Sequence, residues 1–307
     1  MELALKYRPV DYAEVVGQRA AVSILKDMTD HGRMAHCVLF TGPSGTGKTT
    51  LARIARNKIG CSDIDFVEIN ASDDRGIGMV RNILEKVGLA PLSGACRVYL
   101  IDECQALTEP AQNSLLKVLE EPPEHVYFFL ATTDPQKLKR TIITRSTVVP
   151  CETVSENDLL RLSRRVADAE GVQLPVSVAS KIADMSDGSP RKALVLLNSV
   201  LWLGDEESQL EAVSAEDTAA VTGFELAKVV CRKGAKWSEV AGLLDGIHKS
   251  KVDPDAIRLV IMGYARTMLL RSGDLHPASV IDNFKANFWE SKHAGLALAC
   301  YKTVHKL

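Results

Sequence analysis

None of the seven cysteines (Cys37, Cys61, Cys96, Cys104, Cys151, Cys231 and Cys300) forms a C-x-x-C pair, and their number is odd. That argues against a disulfide framework or a zinc ribbon and for a reduced protein with buried thiols. No apolar run reaches the roughly 18 residues that a membrane helix needs, so no span is expected. The opening Met1-Glu2-Leu3-Ala4-Leu5-Lys6 lacks a signal-peptide pattern, and a cytoplasmic location is the expectation. Net charge is only −2 over 307 residues. Nothing in that balance draws the whole chain to nucleic acid, so any DNA contact requires a locally sorted basic patch. Internal repeats and low-complexity tracts are absent too, which excludes solenoid and disordered architectures.

What is present begins with an ordinary globular composition, 46% apolar and 25% charged, in a length that accommodates two or three domains. Gly42-Pro43-Ser44-Gly45-Thr46-Gly47-Lys48-Thr49 fits G-x-x-x-x-G-K-[ST], the phosphate-cradling loop. The context is right: Cys37-Val38-Leu39-Phe40 reads as a buried strand before it, and Thr50-Leu51-Ala52-Arg53 as a helix start after it. The glycines let backbone N–H groups line an anion nest, and the helix points its positive end at the phosphates. Lys48 is placed to reach the β/γ-phosphates and Thr49 to ligate Mg²⁺. Val98-Tyr99-Leu100-Ile101-Asp102-Glu103 is an apolar strand ending in two carboxylates. Beside the loop, Asp102 is expected to hold Mg²⁺ and Glu103 to act as general base towards the attacking water.

Apolar runs at 38–40, 66–69, 98–101, 127–131 and 147–149 alternate with helical patterns over residues 1–150. Near-continuous apolar strands between helices predict a five-stranded parallel sheet covered on both faces. After Pro150 the pattern turns helical, at about 156–170, 175–187 and 190–203, with Ser155-Glu156-Asn157-Asp158 as a capping-box-like start. The polar stretch Gly204 to Ser208 marks a second boundary, after which Asp253-Pro254 opens another helix. The expected division is therefore 1–150, a nucleotide-binding α/β domain; 151–205, a small helical lid; and 206–307, an all-helical domain. Trp202, Trp237 and Trp289 are read as packing residues of the helical part.

Asp102-Glu103-Cys104-Gln105 resembles the D-E-x-x box of the AAA+ sliding-clamp loader ATPases, and the resemblance extends over nearly the whole chain. Lys6-Tyr7-Arg8-Pro9 followed by Val15-Val16-Gly17-Gln18 is similar to the family's K-Y-R-P…V-x-G-Q signature, which implies adenine contacts from Tyr7, Arg8, Pro9, Val16 and Gly17. Asn70-Ala71-Ser72-Asp73-Asp74-Arg75-Gly76-Ile77 resembles replication factor C small subunits. Leu116-Lys117-Val118-Leu119-Glu120-Glu121-Pro122-Pro123 and Ala131-Thr132-Thr133-Asp134 resemble instead the bacterial, DnaX-like motor subunit. A phage origin suits that mixture. The bacterial subunits' four-cysteine zinc module is not expected here, because Leu51 to Phe66 holds only Cys61.

The resemblance implies further roles. Thr133 stands at the family's sensor 1 and Arg191, in Gly188-Ser189-Pro190-Arg191-Lys192-Ala193-Leu194, at sensor 2. Arg145, in Thr144-Arg145-Ser146, stands at the arginine finger, although the family's flanks are Ser and Cys. Arg75, Arg81 and Lys117 are candidates for tracking a DNA backbone, Gln112 for coupling DNA to the catalytic centre, and Asn70 for restraining Glu103. Val213 to Gly223 resembles the linker into a helical collar. The implied function is ATP-driven opening of a sliding clamp and its placement on primer–template DNA, with hydrolysis triggering release. The implied assembly is a pentamer of several copies with at least one different subunit. Alternatives are another AAA+ DNA-remodelling motor of the branch-migration type, or a mainly structural loader subunit.

Overall fold

The computed structural model describes residues 3–203, 205–249, 252–272 and 274–305. It divides into two compact units, Met1–Trp202 and Leu203–Leu307. The first holds strands β1 (Cys37–Thr41), β2 (Cys61–Asn70), β3 (Cys96–Asp102), β4 (Val126–Thr132) and β5 (Thr147–Pro150). They form one parallel sheet in the order β2-β3-β4-β1-β5. Leu39 pairs in register with both Leu130 and Val148, and Leu100 with Phe129.

Strand alternation explains the two layers of helix. Val38 and Phe40 face one side with Leu100 and Phe129, where they bury Leu25 of α2 (Arg19–Asp30) and Leu51 and Ile54 of α3 (Lys48–Lys58), numbering the four-residue Leu3–Lys6 as α1. Leu39, Ile101, Phe128 and Leu130 face the other, against Val80 and Ile83 of α4 (Ile77–Lys86) and Leu115 and Leu119 of α5 (Glu109–Glu120). Each such side chain contributes about 1.5–3 kcal/mol of burial free energy. Edge-on contact of Phe40 with Phe129 at 5.8 Å and stacking of Tyr99 on Phe128 at 5.5 Å fix the layers' register. Strand β2 is longer than its apolar run predicts, because the polar Cys61–Asp65 segment joins the sheet through a register shift. An edge strand, needing a partner on one side only, tolerates that.

A short helix α6 (Arg140–Thr144) precedes β5, and α7 (Glu156–Ala169), α8 (Val176–Met185) and α9 (Pro190–Val200) follow it. The Ser155 hydroxyl accepts the Asp158 N–H and donates to the Asp158 carboxylate at 2.9 Å, so α7 starts where the capping signal lies. Ser189 caps α9 in the same way, with Pro190 at the first helical position.

The second unit is helical: α10 (Glu206–Val230), α11 (Trp237–Lys249), α12 (Pro254–Ser272), α13 (Leu275–Asn283) and α14 (Lys292–His305). Its core gathers Leu226, Val230, Ile247, Ile257, Ile261, Phe284 and Leu296. Asp253 accepts the Asp255 N–H, as its place before Pro254 predicts. Val213 to Gly223, read as a linker, runs inside α10 as continuous helix. The tryptophan reading needs correction. Trp237 packs edge-on against Tyr301 at 5.2 Å. Trp202 and Trp289, however, each lie in a turn and are 70% and 74% exposed. All seven cysteines are buried and free, and burial pushes the Cys37 and Cys151 thiols up to about 11. Among the described residues no helix is long and apolar enough to cross a membrane.

Candidate nucleotide site

The sheet order places β1 between β4 and β5 and carries β3 on β4's far side, so the segments leaving β1, β3 and β4 emerge at one sheet edge. The loop leaving β1 turns through left-handed glycines: φ is 140° at Gly42, 75° at Gly45 and 105° at Gly47. Space forbids larger residues at the first two, since a Cβ would fall 1.9 Å from the Cys151 carbonyl oxygen at Gly42 and 2.1 Å from Ser189 Oγ at Gly45. No side chain caps α3 at Gly47. Its first N–H groups are left to an anion. The Thr46 hydroxyl closes the loop on the Pro43 carbonyl at 2.8 Å.

Lys48 is almost wholly buried, and its ammonium donates to the Gly42 and Pro43 carbonyls at 2.8 Å each. Burial lowers its pKa, while Glu103, Cys151 and Asp102 oppose the shift. The Thr49 hydroxyl donates to Asp102 Oδ2 at 2.7 Å, and Asp102 Oδ1 accepts the Glu103 N–H at 2.9 Å. A hydroxyl and a carboxylate side by side are hard oxygen donors of the kind Mg²⁺ accepts while keeping most of its water. The donor set therefore fits that ion. Glu103 itself stands at φ 51°, in the left-handed region. Its Oε2 accepts from Gln105 Nε2, and from the Thr133 hydroxyl at 3.4 Å.

One cleft takes in Ser44 to Thr50, Asp102 and Glu103, closed on another side by Tyr7, Arg8, Pro9 and Val16, and on a third by Arg165 of α7 and Arg191 of α9. The adenine-signature residues and the loop are thus brought together. Gly17 lies just outside the cleft, packed on Val154 with φ 68°, and Thr133 reaches it only through Glu103. The Tyr7 hydroxyl and the Lys6 ammonium both donate to Glu170 Oε1 at 2.6 Å, which ties the N-terminal segment to the end of α7. Arg8 is held below the usual guanidinium value by burial and by the Arg53 and Arg191 charges. Four cations, Arg8, Lys48, Arg165 and Arg191, share the cleft with the carboxylates of Glu14, Asp102 and Glu103, a balance that suits a polyanion carrying a divalent cation.

Other sequence candidates lie elsewhere. Arg145 ends α6 outside the cleft, where its guanidinium pairs with Glu120 and donates to the Thr141 carbonyl at 3.1 Å. Arg75, Arg81 and Lys117 are exposed on and before the packed helices α4 and α5, and among the described residues none of the three has an ion-pair partner. Gln112 is buried and joins α5 to the segment after β4. Its Nε2 donates to the Leu107 and Lys137 carbonyls, and its Oε1 accepts the Lys139 N–H at 2.9 Å. Asn70 is not brought to Glu103; its amide closes its own turn, on Asp73 at 2.9 Å and the Ser72 N–H at 3.0 Å.

Three residues escaped the sequence reading. Gln105 takes the place at Glu103 that was expected of Asn70. Gln18, quoted only as part of a signature, donates to the Thr46 carbonyl at 3.0 Å and pairs through both amide atoms with the Glu152 backbone. Arg165 lines the cleft, but as one of several helix arginines it carries no motif.

With that geometry established, comparisons place the chain among known proteins. A family model described as DNA polymerase III, delta subunit matches residues 61–155, and one described as TIP49 P-loop domain matches residues 7–79. The chain is 31% identical over 277 residues to the DNA polymerase III subunit gamma/tau of Mycobacterium bovis, covering 81% of this chain and 48% of that protein. It is 31% identical over 297 residues to the DNA polymerase III subunit tau of Escherichia coli, covering 83% and 46%. The chain spans about half the length of the curated relatives it matches. Its fold is shared with the Thermotoga maritima RuvB Holliday junction branch migration motor, at a TM-score of 0.57 and 22% identity over 78% of this chain and 85% of that one. That likeness speaks for the AAA+ fold, and the P-loop fold implies nucleotide binding. Identity, motifs and site agree, and over most of its length the chain is a homologue of the DNA polymerase III gamma/tau subunits.

Proposed function

We propose that the chain hydrolyses ATP with Mg²⁺ as a motor subunit of a clamp loader, opening a sliding clamp and leaving it on primer–template DNA. The observation that carries this is the meeting of a buried Lys48, the Thr49–Asp102 oxygen pair and Glu103 in one cleft. Such a set holds a triphosphate and presents a base where phosphoryl transfer to water needs one. Thr49 and Asp102 would hold Mg²⁺, which would supply neutralising charge for the phosphates. Lys48, freed from the carbonyls it now contacts, binds the same oxygens. Glu103 takes a proton from water as the new bond to the γ-phosphorus forms and the bond to the β,γ-bridging oxygen breaks. Arg191 reaches the γ-phosphate from the lid, and Thr133 reports on that phosphate through Glu103. Tyr7, Arg8, Pro9, Val16 and Gly17 receive the base.

Functionally the chain divides into 1–150 for nucleotide, 151–205 as the lid and 206–307 as a collar holding copies together. Arg145 serves as a finger towards the nucleotide of a neighbouring copy. Its position outside its own cleft supports this, and the exposed Glu120 pair to be broken is worth only about 0.2–1 kcal/mol. A finger that works in trans requires like-built neighbours, and the likeness to clamp-loader subunits supports an assembly of several copies with at least one different subunit, a pentamer. Arg75, Arg81 and Lys117 track the DNA backbone, and Gln112 links the helix of Lys117 to the residues after β4.

Lys48→Ala tests the reading. The variant should keep its thermal midpoint and lose measurable turnover in the assembly. Turnover at the wild-type rate would remove the catalytic assignment.

A further inference from the structure

We infer that Gln105 is a positioning residue for hydrolysis, its amide aiming the Glu103 carboxylate and tying it to the end of β4. This rests on the ATPase reading above. Gln105 lies on the single helical turn Cys104–Ala106, which Glu103 itself begins, and the Ala106 N–H donates to the Glu103 carbonyl at 2.8 Å. On one side its Nε2 donates to Glu103 Oε2 and, at 2.9 Å, to Thr133 Oγ1. On the other its Oε1 accepts from the Thr132 hydroxyl at 2.7 Å, and Thr132 is fully buried.

The amide therefore has one usable orientation. Turned over, its oxygen would face the Glu103 carboxylate, setting acceptor against acceptor. The Thr132 hydroxyl is fixed as well, because it accepts the Asp134 N–H at 3.1 Å. The general base leaving β3 is thus fastened to two threonines leaving β4. A shift of Thr133 is passed through Gln105 to Glu103 without any long-range rearrangement. Asn70, whose amide closes its own turn, does not compete for this place.

Single-turnover hydrolysis of labelled ATP by the chain in its native assembly, beside titration with a fluorescent ATP analogue, tests the inference. Gln105→Ala and the volume-matched Gln105→Met should each slow hydrolysis about tenfold, the loss expected for one hydrogen bond to a charged group. Affinity for the analogue should stay within twofold. In a Glu103→Gln background Gln105→Met should cause no further slowing. A wild-type rate in Gln105→Met, an equal slowing in the Glu103→Gln background, or a parallel loss of affinity would overturn the inference. A wild-type assembly without turnover would instead bring down the ATPase reading, and the inference with it.

Discussion

Gln18 should prove one of the costlier polar side chains to lose outside the catalytic set. It is 9% exposed, and its amide makes three hydrogen bonds to backbone: to the Thr46 carbonyl in the phosphate loop, and to the carbonyl and N–H of Glu152 beyond β5. Gln18→Ala removes all three at once. The bond to Thr46 is buried, and an orphaned buried acceptor costs about 1–3 kcal/mol. The two to Glu152 are part-buried, so water recovers some of their loss. The sum is about 3 kcal/mol, which for a unit of this size lowers the melting temperature by roughly 6–12 °C. Backbone conformation supplies a second check. Gln18 sits at φ 52°, ψ 31°, where a non-glycine residue carries about 1 kcal/mol of strain. Gln18→Gly loses the same bonds but is free of that strain, which Gln18→Ala keeps, so it should be no less stable than Gln18→Ala despite its greater chain entropy. Urea unfolding at 25 °C followed by circular dichroism reads both. A loss under about 1 kcal/mol for Gln18→Ala, or a glycine variant clearly the weaker of the two, would refute the reasoning.

Arg145→Ala should leave nucleotide affinity intact and slow turnover of the assembly by about a thousandfold or more, the usual worth of an arginine finger; unchanged turnover removes the assignment. Charge removal at Arg75, Arg81 or Lys117 should weaken DNA binding regardless of sequence, each true phosphate contact reducing the salt slope by about one. An unaltered slope, read by fluorescence anisotropy against salt, rejects the residue concerned. Gly42→Ala should abolish nucleotide binding or folding, because its Cβ would meet the Cys151 carbonyl oxygen at 1.9 Å. A soluble variant with wild-type affinity would contradict that geometry. Asp65 contributes to the pH dependence: the Gly94 and Leu92 N–H groups, joined by the Ser62 hydroxyl and the Ser93 N–H, hold its carboxyl well below the usual range. A depressed native value contributes stability that is complete above the unfolded value of about 3.9 and is lost as pH falls through the native one. Asp65→Asn should therefore flatten the acid limb of the stability profile below about pH 4. An unchanged limb would show that other carboxylates dominate it.

The fold was legible wherever a single physical demand shaped a stretch of sequence. Strands buried on both faces must be apolar throughout, and 38–40, 98–101 and 127–131 announce themselves for that reason. The Cys61–Asp65 half of β2, paired on one edge, is under no such demand and carries no apolar run. Caps were legible at Ser155 and Asp253, because few residue types can satisfy a helix's first N–H groups. Trp202 and Trp289 misled, since ring size alone does not predict burial for a residue in a turn.

The site divides along a different line. Groups that act on the nucleotide from within one loop, Gly42 to Thr49, are legible because the chemistry requires fixed spacing along the chain. Groups that act through a second side chain have no such spacing. Gln105 and Thr133 lie 28 positions apart and meet only because β3 and β4 are neighbours in the sheet. Gln18 reaches Glu152 across 134 positions for the same kind of reason. A sequence motif records which residues the nucleotide must touch. It does not record which amide among several aims them, because Asn70, Gln105 and Gln112 are alike in chemistry and differ only in what the sheet order brings within 3 Å. The expected restraint of Glu103 by Asn70 turns on strand ends in the same way. Both amides stand beside the acidic pair in the topology, but the register pairs Asn70 with Asp102, while the turn after Glu103 delivers Gln105 to Thr132 and Thr133.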